Sequence, residues 1–263
     1  MDVIWILIAF ACGFAAKQIN LPPLVGYLLA GFGMHGLGVQ PLDNLQSLAD
    51  LGITLMLFTI GLKINFKSLF KPTVWAGASL HMLSWVMVGA VLLKGFALLG
   101  VQYLEFLDWP ALALIAFALS FSSTVCVVKL LEEKTEMKNR HGKLAVGILV
   151  MQDIVAVIFL VAATGKIPSI YALGLVLLFP AKLILDRIID KAGHGELLPL
   201  VGIALALGGY ELFTLVNLKG DLGALIFGLL LSQHVKGPEL AKSLYTFKDL
   251  FLIGFFLSIG FTA

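Results

Sequence analysis

The sequence predicts an all-α, polytopic membrane protein, and three observations carry that reading. Hydrophobic residues make up 60% of the 263 and charged residues 13%, with a mean hydropathy of +1.01, well outside the balance of a soluble globular chain. Apolar stretches of spanning length recur from end to end, and no polar block is large enough to fold as a separate soluble domain. The basic residues crowd into alternate loops, as they do when loops alternate between two sides of a bilayer. Membrane lipid is the expected surrounding, and no nucleic-acid partner or cofactor is expected.

About ten segments follow in order. Val3–Ala16 has neither a basic start nor a convincing small-residue cleavage site, so it is expected to remain as a helix. Pro22–Leu37 and Ala49–Leu62 come next. Val74–Leu99 carries Lys94 near one end as an interfacial anchor. Trp109–Leu130 leads into the mixed-sign run Glu132–His141, read as a solvated loop and a candidate contact for a regulatory subunit. Leu144–Ala163 is followed by Pro168–Leu185, with Lys182 as a second anchor, and by Gly193-His194-Gly195 as a flexible linker. Leu197–Val216, Leu218–Ser232 and Phe247–Phe261 complete the set. Glu211, toward the outer end of the eighth segment, reads as snorkelling to the interface. Several segments are short for a spanning helix, which allows tilt or burial inside the protein.

Placing the loops alternately gives one side Lys17, Lys63, Lys67, Lys71, Lys129, Lys134, Lys138, Arg140, Lys143, Lys182, Arg187, Lys191, Lys236, Lys242 and Lys248, which is 15 of the 18 basic residues. Only Lys94, Lys166 and Lys219 fall on the other. The richer side is cytoplasmic by the positive-inside rule, so the N-terminus is expected outside, in a multi-pass protein of the cell inner (cytoplasmic) membrane.

The chain also repeats itself in order. Val25–Gly31 (VGYLLAG) echoes Leu222–Gly228 (LGALIFG), and Leu57–Gly61 (LFTIG) echoes Phe256–Gly260 (FLSIG), at offsets of 197 and 199. Segments eight to ten thus resemble segments one to three. An odd number of segments separates the copies, so the second enters the membrane in the opposite sense. That is the inverted-repeat pattern of secondary transporters, whose sites lie near the midplane.

The chemistry concentrates in segments five and six. Asp153 sits about midway along an apolar run, and a carboxylate at that depth must face a polar cavity, pair with a cation or take up a proton. The alternative is an acid satisfied by hydroxyls or backbone between helices. Gln152 precedes it, and adjacent residues point about 100° apart on a helix, so Gln152 is free to bond a neighbouring broken helix while Asp153 faces the pathway. Segment five carries Ser120-Phe121-Ser122-Ser123-Thr124, whose hydroxyls suit either a locally broken helix, an alkali-cation site or ordinary helix–helix glue. His35 and His81 read as buried or interfacial histidines, with pH sensing as the functional alternative. Cys12 and Cys126 read as small buried thiols, with no metal site or disulfide framework expected.

Pro23–Gly31, Leu55–Leu62, Ser122-Ser123-Thr124 followed by the basic loop, and Gln152-Asp153 together resemble the monovalent cation:proton antiporter-2 family, in particular the membrane domain of Kef-type potassium:proton antiporters. The resemblance runs in order over nearly the whole chain. It implies a sodium/proton-antiporter-like inverted-repeat fold, with 1–163 as a first six-helix repeat, 164–195 as a linker helix and loop, and 196–263 as a partial second repeat. It implies that Asp153 carries the ion and the proton, that Ser122, Ser123 and Thr124 lie beside the ion at the break of the fifth helix, and that Gln152 supports the crossing of broken helices. Potassium or sodium and a proton are the implied substrates, and a homodimer the implied assembly. Two departures stand out. Where the family has Gly-Leu-Glu at the end of its third helix, this chain has Gly61-Leu62-Lys63, so no role of that acid transfers. The family's domain also continues past the counterpart of the tenth segment, so the sequence reads as truncated, without the partners of segments four to six in its second repeat. No Gly-rich nucleotide-binding fingerprint is present.

Two other readings belong beside exchange. A chain of this length is a candidate for a transporter inactive on its own. An intramembrane aspartyl protease would need two carboxylates on one water cavity, and Asp153 with Asp221 is the only tempting pair, at mismatched depths. The expectation is therefore a transporter and not an enzyme.

Overall fold

The computed structural model describes residues 3–41, 44–64, 71–164 and 169–262, and every regular element among them is helical. Lys67, Lys166 and Pro168 lie outside those residues. In chain order the helices are α1 (Val3–Gln18), α2 (Pro23–Gly36), α3 (Leu45–Lys63), α4 (Pro72–Leu98), α5 (Trp109–Leu119), α6 (Thr124–Glu133), α7 (Arg140–Thr164), α8 (Leu178–Ala192), α9 (Leu197–Leu215), α10 (Gly220–Leu231) and α11 (Gly237–Thr262). A single helical turn, Gln102–Glu105, precedes α5, and a 3-10 stretch, Ile170–Leu177, leads into α8. Among the described residues five helices are long and apolar enough to cross a bilayer: α3, α4, the joined pair α5–α6, α9 and α11. Ile4–Gln18 and Gly220–Leu231 are shorter apolar helices.

Four sequence expectations shift. The third segment begins a turn earlier, at Leu45, and the tenth begins ten residues earlier, at Gly237, because polar residues (Gln46 and Ser47 in the one, Glu239 and Lys242 in the other) can continue a helix that hydropathy ends. The seventh segment divides into the 3-10 stretch and α8, which runs on through Arg187 and Lys191 to Ala192. The mixed-sign run is a loop only over 134–139, since α6 holds Glu132 and Glu133 and α7 opens at Arg140.

The chain forms two compact units, Met1–Phe66 with Val161–Ala263, and Lys67–Leu160. At the centre of the first, α3 is buried at every position from Thr54 to Leu62. Close helix approach there depends on glycine. A methyl group on Gly31 would run into the Leu257 carbonyl and lie 2.8 Å from Gly260 Cα. One on Gly228 would run into the Phe58 carbonyl and lie 3.0 Å from Gly61 Cα. Small residues let backbones meet in this way, where a larger side chain would hold them apart. The two seams involve equivalent positions with roles exchanged: Gly31 and Gly228 are 197 apart, Gly61 and Gly260 are 199 apart.

The correspondence extends to positions with no obvious motif. Gly26 abuts the Cys12 carbonyl as Gly223 abuts the Gly209 carbonyl, again at an offset of 197. Asn20 and Asn217, also 197 apart, end α1 and α9 in the left-handed region, with φ of 59° and 60°. Asparagine tolerates that conformation, and the following N–H in each case turns back onto the helix: Leu21 donates to the Ala16 carbonyl at 2.9 Å and Leu218 to the Phe213 carbonyl at 2.9 Å.

Lys236, read from sequence as one more cytoplasmic cation, has a structural task in this unit. Its ammonium donates to the carbonyls of Ile189 (3.4 Å), Asp190 (3.1 Å) and Gly193 (3.3 Å), the C-terminal carbonyls of α8. A cation there satisfies unpaired acceptors and opposes the negative end of the helix dipole. His234 against Asp190 (3.3 Å) and His194 against Glu239 (2.7 Å) tie the same corner together. Lys236→Met should cost about 1–2 kcal/mol. Thermal unfolding in detergent should show a midpoint lowered by a few degrees, and an unchanged midpoint would mean the contacts contribute nothing.

Candidate site at a broken helix

The second unit is built around an interruption. Asp108 starts α5, its carboxylate accepting from the Ala111 N–H at 3.0 Å, with Pro110 in the first turn where its missing N–H has no cost. The helix stops at Leu119. The Ser120 hydroxyl then donates to the Phe117 carbonyl at 2.7 Å, a local bond that competes with the next helical one. Phe121, Ser122 and Ser123 are not helical. Ser123 restarts the helix as the cap of α6, its hydroxyl oxygen accepting from the Cys126 N–H at 3.3 Å.

Such a break strands backbone groups in an apolar setting, and Gln152 satisfies one from each side of it. Its Oε1 accepts from the Ser122 N–H at 3.3 Å, and its Nε2 donates to the Ser120 carbonyl at 3.2 Å. The side chain is only 2% exposed. A primary amide is the one side chain offering a donor and an acceptor side by side for an orphaned N–H and an orphaned C=O. One residue on, the Asp153 carboxylate accepts from the Thr124 hydroxyl at 3.2 Å. Thr124 is the first residue of α6, where unpaired N–H groups and the helix dipole favour negative charge. The C-terminal carbonyls of α5 supply the opposite partial charge on the other side of the gap. Phe117 fills in behind the break, its ring 5.0 Å from Phe121 and 4.8 Å from Phe159.

A seam between α4 and α7 sets the register of this clamp. Gly147 lies against Val74 and Gly77 against Ile148, and one turn further His81 meets Gln152, Nδ1 to Nε2 at 3.5 Å. Nothing in the sequence flagged that contact, because the residues are 71 apart and a lone histidine in an apolar helix carries no pattern.

The residues named from sequence therefore separate by task. Gln152 and Asp153 both engage the broken helix, one at its backbone and the other at its restart. Thr124 is buried and bonded to Asp153, whereas Ser122 contributes its backbone N–H to the clamp and Ser123 its hydroxyl to the helix cap. Both serines are exposed. Elsewhere, Asp221 is paired with Lys219 at 3.2 Å, His35 stands edge-on to Phe261 with ring centres 6.4 Å apart, and Glu211 is exposed. Among the described residues no group of three or more His, Cys, Asp or Glu side chains has the arrangement of a metal site.

Comparison with known proteins gives the chain a family. A family model described as the transmembrane sodium/hydrogen exchanger matches residues 6–263. The protein of Escherichia coli (strain K12) named "Putative cation/proton antiporter YbaL" is 30% identical over 97% of this chain and 50% of its own length. The "Glutathione-regulated potassium-efflux system protein KefC" of Klebsiella pneumoniae (strain 342) is 29% identical over 93% of this chain and 42% of its own, and KefC of Shigella flexneri serotype 5b (strain 8401) gives the same values. The chain thus spans half or less of the length of these relatives. With a match from residue 6 to residue 263, the chain belongs to the transmembrane sodium/hydrogen exchanger family and is similar to its Kef-type members.

Proposed function

We propose that this chain exchanges a monovalent cation for a proton at Asp153, and the observation that carries the proposal is the clamped helix break with a carboxylate at its restart. Removal from water favours the protonated carboxyl, and a cation held in the same place favours the ionised one. One carboxylate that accepts either occupant, but not both, is an exchanger once the loaded forms cross between the two sides. Exchange of one proton for one monovalent cation would be electroneutral. Thr124 and Ser122, with Ser123 at the cap, supply oxygens around the ion, and Gln152 keeps the break from collapsing into continuous helix.

Potassium is favoured as the cation because the KefC relatives are named for potassium efflux, with sodium as the second candidate. The paired glycine contacts and the matching turns at Asn20 and Asn217 support an inverted repeat in which 196–263 mirrors part of 1–163, with 164–195 as linker. In that arrangement exchange proceeds by alternating access, in an inner membrane, with the N-terminus outside. A homodimer and a regulatory contact at Glu132–His141 complete the proposal.

Competition for one carboxylate has a direct readout. Potassium added to the purified chain in weakly buffered detergent solution should release protons, up to about one per chain. Sodium in its place decides the ion. No release with either ion from folded protein would count against a shared site.

A further inference from the structure

We propose that His81 is a positioning residue for the exchange site: in its neutral form it holds the Gln152 amide across the helix break, and on protonation it lets go. The argument starts from the hydrogen-bonding capacity of one amide. Gln152 has an acceptor oxygen and two N–H donors. The Ser122 N–H requires the oxygen and the Ser120 carbonyl requires the nitrogen, so these two partners fix which way the amide points. The second N–H of Nε2 is left, and His81 Nδ1 stands 3.5 Å away. A donor facing that ring nitrogen needs it to carry a lone pair, which specifies the neutral imidazole with its proton on Nε2. A protonated His81 would set N–H against N–H, and the bond would be lost.

The groups around this contact are few. Along α4 the nearest titratable residues are its cap Lys71, 10 positions before, and Lys94, 13 positions after, distances of about 15 and 20 Å at helical rise. Helix α5, packed against α4, has none, and the turn Gln102–Glu105 offers Tyr103 and Glu105. On α7 Asp153 adjoins Gln152, while Arg140, His141 and Lys143 lie at the helix start. On α6 the titratable residues are Cys126, Lys129, Glu132 and Glu133. His81 itself is exposed and Gln152 buried, so the ring lies at the edge of the clamp and outside the site. The consequence for transport rests on the exchange reading above; the contact itself does not, and its tests need no transport.

Two measurements on the full chain in lipid bilayers test it. With 15N-labelled histidine, and His81 identified by its loss in His81→Gln, the Nδ1 resonance at about pH 8 should be that of an unprotonated acceptor. Gln152→Met, of similar size but without a donor, should release the ring into a mixture of tautomers. An Nδ1-protonated His81 in the unmodified chain, or a signature unmoved by Gln152→Met, would overturn the proposal. The second readout is labelling of Cys126, in the first turn of α6, by a small maleimide in a Cys12→Ser background. Dividing the rate with His81 present by the rate in His81→Gln at the same pH cancels the titration of the thiol. Because glutamine keeps an acceptor at every pH, the ratio should be near one at about pH 8 and rise about five-fold at about pH 5.5, the factor carried by one hydrogen bond of ordinary net strength. His81→Leu should label fast at both. A ratio that does not change with pH would remove His81 from the positioning of the break.

Discussion

Alanine at Gly228 should destabilise the protein by about 2–3 kcal/mol, although exchanging glycine for alanine within a helix ordinarily gains about 0.5–1 kcal/mol. The sign reverses because the added methyl meets backbone on all sides: the Phe58 carbonyl, Gly61 Cα at 3.0 Å and Leu62 N at 3.0 Å. A flexible side chain could swing away, whereas two main chains separate only if α10 and α3 move apart along the seam. Gly31 stands in the equivalent place against Leu257 and Gly260, and its alanine variant should suffer a similar loss. Gly33, two residues further along the same helix, has nothing within 4 Å of a built methyl, so alanine there should give the ordinary gain. Unfolding midpoints of the three variants in one detergent provide the comparison. Gly228→Ala and Gly33→Ala shifting in the same direction would mean that the seams are not close-packed in the membrane.

Asparagine at Asp153 should abolish cation-coupled proton movement while leaving the fold in place. The substitution preserves shape, and the amide oxygen still accepts from the Thr124 hydroxyl, so the restart of α6 keeps its partner. What disappears is the negative charge that attracts the cation and the acid that exchanges the proton. A fall of about 100-fold or more is expected, the factor that about 3 kcal/mol of lost attraction to an ionised group carries. The unfolding midpoint should stay within about 2 °C of the parent, because the Thr124 hydroxyl keeps its acceptor.

Much of this arrangement was legible in the sequence where one local rule decides it. Helical segments announce themselves by apolar length, and their order survived contact with the structure. The hydroxyls of Ser120–Thr124 suited a broken helix, a cation site or helix–helix glue equally well, and only the family resemblance implied the break of the fifth segment. Gln152 and Asp153 were readable as intramembrane polar residues. Boundaries failed where hydropathy and helicity part company: Glu239 and Lys242 belong to α11, although the tenth apolar segment begins only at Phe247. Lys248 is 1% exposed, its ammonium 3.1 Å from Asp249 and over the Tyr245 ring at 5.3 Å.

Contacts between distant helices were the part that sequence withheld. His81 against Gln152 depends on a register set by Val74, Gly77, Gly147 and Ile148, and no spacing rule connects them. The helix endings at Asn20 and Asn217 share only an Asn-Leu pair, too little to notice as a repeat, yet they adopt one backbone geometry. Likewise Lys236 looked like a loop cation until the C-terminal carbonyls of α8 were found around it.

The central claim, exchange at Asp153, is tested most directly by proton movement in proteoliposomes that hold a pH gradient, read with a pH-sensitive dye as potassium or sodium is added. The parent chain and Asp153→Asn are compared side by side, each first shown to be monodisperse. Cation-dependent dissipation in the parent alone is the predicted result, and the more effective ion is the substrate. Equal dissipation in both would contradict the account by removing Asp153 from the mechanism, and no dissipation in either would show that this chain does not carry out exchange by itself.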